Sequence, residues 1–376
     1  MEFAFTDEQD QFRTVVRRFL TDKSPTTEVR RLMDTADGYD AVVWRQLADD
    51  LALTGIHIPE TYGGAGFGPI ELCIAMEEQG RALLCAPYFS SCVLSAGAIV
   101  HAAEDDQKAN LLPAIANGQT RAALAVTEPN GRWDATGIQA VATRTGNGWV
   151  IDGEKSFVID GCSAQQLVVV ARAAGSAGNA GLSFFVVDPD VAEVTRTALA
   201  TMDATRKQAR IKFARAPAEL LGQAGAGAEP LSRTLDLAAI ALANEMVGGA
   251  QALLDSAVAY ANIRVQFGRA IGSFQAIKHK CADMLLDVEL AKSAAYYAAQ
   301  AAADGDPQTP GFASMAKAAA ADAYMRAAAN TIQIHGGIGF TWDNDTHLWF
   351  KRAKSSEVLF GDPNHHRELM LQRLEG

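Results

Sequence analysis

The chain has 376 residues, 49% of them hydrophobic and 20% charged, a balance that excludes a disordered polymer or a coiled-coil rod. Thirty-three basic against 44 acidic residues leave a net charge of −11 with no lysine or arginine run, which excludes a nucleic-acid platform. Five cysteines (Cys73, Cys85, Cys92, Cys162, Cys281) form no Cys-x-x-Cys pair, which points away from a disulfide scaffold or zinc ribbon and toward a reducing compartment.

The start, Met1-Glu2-Phe3-Ala4-Phe5-Thr6-Asp7-Glu8, is acidic where a targeting leader would be basic. No uninterrupted apolar run reaches the ~18 residues of a membrane span. A cytoplasmic protein with no membrane partner is expected. Thr6 is placed to cap a helix over Asp7–Leu20, with Phe12, Val15, Val16 and Phe19 as its apolar stripe. Helical spacing recurs over Ala41–Leu53, Ile70–Leu84, Phe89–His101 and Gln107–Ala116. The glycine-rich stretch Tyr62–Gly68 reads as a flexible connection, since no strand precedes it to make a phosphate cradle.

From Thr120 to about Leu221 the chain reads as strands. Ile138–Thr145 and Trp149–Ile151 flank Gly146-Asn147-Gly148, a hairpin signal, and apolar runs follow at Gln166–Ala171, Leu182–Val187 and Ala209–Phe213. Long alanine-rich helices then span Leu231–Arg264, Ser273–Ala303, Gly311–Ile334 and Asp345–Leu374. The expected architecture is α+β and multidomain. A helical N-terminal domain (1–119) precedes a central β-sandwich or barrel-like domain (120–227) and a C-terminal four-helix bundle (228–376).

That order and four strings resemble the acyl-CoA dehydrogenase family over nearly the whole chain. The strings are Ala125-Val126-Thr127-Glu128-Pro129, Ile151-Asp152-Gly153-Glu154-Lys155, Arg264-Val265-Gln266-Phe267-Gly268 with Phe274-Gln275, and Gln333 through Phe340. Each alone is weak; in this order they are specific together. The resemblance implies FAD held across a subunit interface in a dimer of dimers, an acyl-CoA substrate, and electrons passed to an electron-transfer flavoprotein. Such chemistry removes the α-proton to a base and the β-hydrogen as hydride, and needs donors on the thioester oxygen in a dry pocket.

By the same resemblance Arg264, with Phe267 and Gln275 at family spacing, faces the FAD pyrophosphate of a neighbouring subunit, where a guanidinium fork matches phosphate oxygens. A surface arginine ending a helix is the plainer alternative. Gln333, Gly336 and Gly337 match the segment that lets the backbone approach the cofactor, and Gly-Gly also suits a helix stop. Thr127 matches a threonine at the flavin pyrimidine edge. Phe157 replaces a usual tryptophan, with a core phenylalanine as its alternative. The histidines show no metal spacing.

Departures cluster around the flavin ring and the substrate. Ile159 stands where a hydroxyl residue is usual, Arg132-Trp133 replace Gly-Ser, and Ala239 replaces an arginine near the CoA arm while Asp236 is retained. Phe360 occupies the position of the usual glutamate base, with Gly361 in register, so that only its backbone N–H is left to polarise the thioester carbonyl. Ala238 occupies the alternative base position. Seven residues on, Glu245 interrupts an apolar stretch and is the candidate base, its pKa expected to be raised by isolation. A structural carboxylate paired with a core arginine or an interface partner is its alternative. Two functions follow: dehydrogenation of an acyl-CoA, with Ala238 and Ala239 leaving room for a branched or steroid-type chain; or a half-site subunit of a heterotetramer that lends FAD-binding residues to a second homologous chain.

Overall fold

The Thr6 hydroxyl accepts from the Gln9 N–H (3.3 Å) while the Gln9 side chain accepts from the Thr6 N–H (3.0 Å), a reciprocal cap that satisfies two donors left over at a helix start. The computed structural model describes residues 5–146 and 148–375, the last two by backbone alone; the expected acidic Met1–Ala4 and Asn147 of the hairpin signal lie outside the described residues. From the cap runs α1 (Asp7–Lys23), followed by α2 (Thr26–Met33), α3 (Ala41–Asp49) and α4 (Pro69–Ala82). A π-helical segment, Phe89–Ser95, continues into α5 (Ala96–Ala102), and α6 (Asp105–Ala116) ends the first helical stretch. The strands are β1 (Ala122–Ala125), β2 (Val141–Thr145), β3 (Gly148–Ile159), β4 (Gln166–Ala173), β5 (Leu182–Val187), β6 (Val194–Ala198) and β7 (Gln208–Leu221). Helix α7 (Ala228–Ile263), a small hairpin of β8 (Val265–Gln266) and β9 (Arg269–Ala270), α8 (Gln275–Ala303), α9 (Thr309–His335), α10 (Thr346–Val358) and α11 (Pro363–Glu375) complete the chain.

Three details differ from the sequence reading. Val15 is exposed, so the line that α1 buries runs through Val16 and Leu20 instead. The segment expected as one helix over Asp345–Leu374 is two, because Phe360 and Gly361 take positive φ (59° and 121°) and Pro363 opens a new helix. Tyr62–Gly68 is tied rather than flexible: Ala65, Gly66 and Phe67 donate to the carbonyls of Gly55, Ile58 and Ile56 at 2.9–3.0 Å.

Two units partition the chain. One holds the chain up to Arg31, Pro69–Leu84 and everything from Ala239; the other holds Leu32–Gly68 and Cys85–Ala238. In the second unit the sheet closes on itself. Strand β4 pairs in parallel with β1 and β2 on one side and antiparallel with β5 on the other, and β2, β3, β7 and β5 follow in antiparallel order. Alternate residues fill the interior, among them Val169, Phe185, Ile211 and Phe213.

In the first unit the C-terminal half of α7 is the core. A Cβ on Gly80 of α4 would lie 1.9 Å from the Glu245 carbonyl oxygen, and one on Gly248 of α7 would lie 1.8 Å from that of Glu77, so these helices cross in backbone contact. Asn244 donates to the Ala295 carbonyl of α8 (3.5 Å) and Thr331 of α9 to that of Leu253 (3.1 Å). Arg13 of α1 and Tyr296 of α8 both donate to Glu77 of α4, at 2.6 and 2.8 Å. Helix α7, its apolar run interrupted by Asn244 and Glu245, is long and apolar enough to cross a membrane by length and composition, and 83% of that stretch is buried inside the protein.

Candidate active site

Beyond β1 the chain reaches Thr127 and Glu128. The buried Glu128 carboxylate accepts from the N–H groups of Gln139 (2.8 Å) and Ala140 (2.9 Å) and from Lys155 Nζ (2.8 Å), and Lys155 also donates to the Val126 carbonyl (2.9 Å). Lys155 is fully buried, and that burial pulls its pKa down to about 8 against the pull of Glu128. The pair locks β3 to the end of β1, and the Ser156 N–H closes the junction on the Thr127 carbonyl (2.8 Å). Its two residues stood in two of the sequence strings, an acid and a base in elements read as strands, yet only tertiary pairing reveals their role.

Directly after this lock the β3–β7 register shifts between Lys155 and Val158. Phe157 lies in that bulge at φ 59°, a conformation costly for a bulky residue, and its ring is 48% exposed. Here the backbone spends strain to hold an aromatic face outward next to Thr127, which is half-buried. Ile159, two residues on, is buried.

In the helical unit Arg264 ends α7, and its carbonyl accepts from Ile271 (2.8 Å) to close the β8–β9 hairpin. At the tip Phe267 has φ 54° and is 92% exposed, with Phe274 edge-on at 6.1 Å. Gln275 opens α8, exposed, so Arg264, Phe267 and Gln275 gather on one connection. At the end of α9 His335 is a packing residue: it stacks on Tyr260 (4.2 Å) and donates from Nδ1 to the Thr331 carbonyl (2.9 Å). Gln333 is exposed, and a Cβ on Gly336 or Gly337 would meet nothing within 4 Å. These glycines therefore serve no packing need of the chain. In the helical unit, open backbone and an exposed guanidinium suit the phosphates of a dinucleotide; in the β unit, an outward aromatic face suits a flat ring.

The candidate base is placed differently from the sequence reading. Glu245 is buried but not isolated: Arg352 of α10 donates to it from Nη1 at 2.8 Å, both side chains 4% exposed. The isolation expected from the sequence is not met: the carboxylate has a guanidinium at hydrogen-bond distance. Asp236 is buried on α7, and Ala238 and Ala239 are buried beside it in sequence. Phe360 is half-buried at φ 59° in the α10–α11 corner. Lys317 of α9 braces that corner, donating to the carbonyls of Glu357 and Gly361 (3.1 Å each), and burial pulls its pKa down to about 7. No group of three or more metal-ligating side chains is present among the described residues.

This combination of a barrel-like β unit joined in sequence to a helical bundle is that of a flavin-dependent dehydrogenase. The chain belongs to the acyl-CoA dehydrogenase family: its N-terminal domain model matches residues 6–119, its middle domain 123–215 and its C-terminal domain 225–375. FAD is the cofactor, and the chemistry is oxidation at a CH–CH bond. The chain is 33% identical to the acyl-CoA dehydrogenase IpdE2 of Mycobacterium tuberculosis over 98% of its own length and 96% of that protein. A solved variant of the Tcur3481–Tcur3483 steroid ACAD is 29% identical with a TM-score of 0.88, covering 98% of each chain. Butyryl-CoA dehydrogenase from Megasphaera elsdenii is 28% identical with a TM-score of 0.92, covering 100% of each.

Proposed function

We propose that this chain takes part in the α,β-dehydrogenation of an acyl-CoA with a bulky, steroid-like acyl group, at an FAD site shared between two subunits. Its own Thr127 and Phe157 face the flavin ring. Arg264, Phe267, Gln275, Gln333, Gly336 and Gly337 face the diphosphate and adenosine of FAD on a neighbouring subunit. When bound, FAD accepts the β-hydrogen as hydride and hands the electrons on to an electron-transfer flavoprotein. The Phe360 N–H polarises the thioester carbonyl and Asp236 lies on the CoA side. The observation that carries the reading is Phe157, an aromatic face held outward at φ 59° beside Thr127. Small residues at Ala238 and Ala239 and the likeness to a steroid ACAD support a bulky acyl chain.

Proton abstraction by Glu245 requires the carboxylate to leave Arg352, or to act while paired. The ion pair favours a second reading, in which this chain is the half of a heterotetramer that lends cofactor contacts and a second, unlike homologue supplies the base. The deciding experiment is the flavin content and visible spectrum of the chain purified alone, then with anaerobic acyl-CoA. Full FAD with bleaching by bulky acyl-CoAs supports a self-sufficient dehydrogenase. FAD retained only on co-expression with a second homologue supports the heteromer. A chain that binds no FAD under either condition overturns both.

A further inference from the structure

The π-helical segment Phe89–Ser95 is buried along its whole length, and two successive serines on it bond the start of β1, which leads to Thr127, and the turn after β3, which carries Phe157. Ser90 Oγ donates to Asp160 Oδ2 at 2.6 Å, and Ser91 Oγ accepts from the Ala122 N–H at 3.1 Å. Ala122 begins β1, and Thr127 lies two residues past the end of that strand. Asp160 follows the end of β3, three residues after Phe157, and is itself in the left-handed conformation (φ 53°). Its N–H donates to the Lys207 carbonyl (2.9 Å), and its own carbonyl accepts from Ala164 (3.0 Å) and Ser163 (3.1 Å). Phe157 is thus bracketed by two buried anchors, Lys155 on Glu128 before it and Asp160 on Ser90 after it, with positive φ at Phe157 and again at Asp160.

Strained residues persist only where surrounding contacts over-determine them. Extra residues per turn mark π segments, which recur at functional sites. Here the wider turn presents neighbouring hydroxyls to two different strands. Ser95 Oγ reinforces the segment by donating to the Ser90 carbonyl (2.8 Å), and the Arg206 guanidinium packs over the Phe89 ring at 5.4 Å. We infer that Ser90 and Ser91 are positioning residues for the flavin-facing pair: through Asp160 and Ala122 they set how Phe157 and Thr127 are presented to the ring. This rests on the reading that Phe157 and Thr127 face the flavin.

The test compares FAD-loaded wild type with Ser90→Ala, Ser91→Ala, Asp160→Asn, Asp160→Ala and Phe157→Leu, following flavin absorption, flavin reduction potential, FAD dissociation and the thermal midpoint of loaded and stripped protein. Ser90→Ala and Asp160→Ala are expected to shift the flavin bands and potential and to weaken FAD binding about tenfold, the scale of a lost buried hydrogen bond to a charged group. Asp160→Asn, which still accepts from Ser90 and tolerates positive φ, is expected to stay near wild type. If Ser90→Ala does not fold, the Asp160→Ala and Asp160→Asn comparison reads the same anchor. Variants that lower both thermal midpoints equally while leaving spectrum, potential and FAD affinity at wild type would overturn the positioning role alone. A Phe157→Leu protein with an unchanged flavin spectrum would overturn the flavin-facing reading and the inference with it.

Discussion

Arg352 on α10 and Glu245 on α7 share a hydrogen-bonded ion pair at 2.8 Å, both side chains 4% exposed, in the core of the helical unit. Removing one partner of such a pair strands a buried charge, whereas replacing both with apolar residues of similar volume does not. Glu245→Gln is therefore expected to destabilise the chain by about 3–5 kcal/mol, and a Glu245→Leu/Arg352→Met double variant by much less. Denaturant unfolding of the two singles and the double measures this. A Glu245→Gln protein with wild-type stability but no turnover would restore Glu245 as a base rather than a structural anion.

Gly336 and Gly337 allow the proposed cofactor binding to be tested apart from folding. Gly337→Ala introduces a Cβ with open space around it and no positive φ, so stability should change by less than about 1 kcal/mol. On the proposed placement of these glycines against the cofactor phosphates, FAD binding should weaken at least about tenfold. Equilibrium dialysis against FAD decides it; unchanged affinity would mean the glycines serve only as a helix stop.

Lys155→Met should leave Glu128 buried without its ammonium. The expected cost is about 3–5 kcal/mol, read as a lower thermal midpoint, together with loss of FAD retention because Phe157 adjoins the broken lock. If midpoint and flavin content both match wild type, the lock does not hold the bulge.

Acid should loosen the fold before the carboxylates titrate. Burial holds His57 and His101 down to about 4 and His366 down to about 3, from an ordinary 6.5. These rings stay neutral in the folded chain while the unfolded chain takes up protons below pH 6.5. Their contribution is intact above that pH and falls as pH drops toward 4, by up to about 1.4 kcal/mol per pH unit for each ring. Urea unfolding across about pH 7 to 5 should show this slope, and His57→Phe should flatten it. A flat profile would mean the rings are protonated in the native state.

Gly248→Ala should force α4 and α7 apart where their backbones touch, at a cost of about 1–3 kcal/mol or more. A midpoint within one degree or so of wild type would show that the crossing relaxes freely.

Much of this architecture was legible from local rules. Thr6 with Gln9 announced α1, the Gly146–Gly148 hairpin signal announced β2 and β3, and apolar runs announced β4, β5 and β7. Asp362-Pro363 carried the signal for the α10–α11 break, but the helical pattern on both sides concealed it. Contacts between distant residues left no local trace. Arg352 finds Glu245 across 107 residues of sequence, and Ser90 finds Asp160 across 70. For the cofactor, motif spacing named Arg264, Gly336 and Phe157; it took backbone conformation to show that Phe157 is turned outward at a bulge. The π-helical segment was read as an ordinary helix because its buried face runs all the way round.

Helix α7 also has a consequence in time. Its apolar stretch is covered by α4, which precedes it, and by α8, α9 and α10, which follow. On a ribosome adding ~5–20 residues per second, the stretch waits on the order of ten seconds before Arg352 emerges to meet Glu245. Until α8, α9 and α10 have emerged, this apolar stretch has only α4 to cover it. The chain's yield in cells should therefore depend on chaperone supply and synthesis rate more steeply than the stability of the finished fold would suggest.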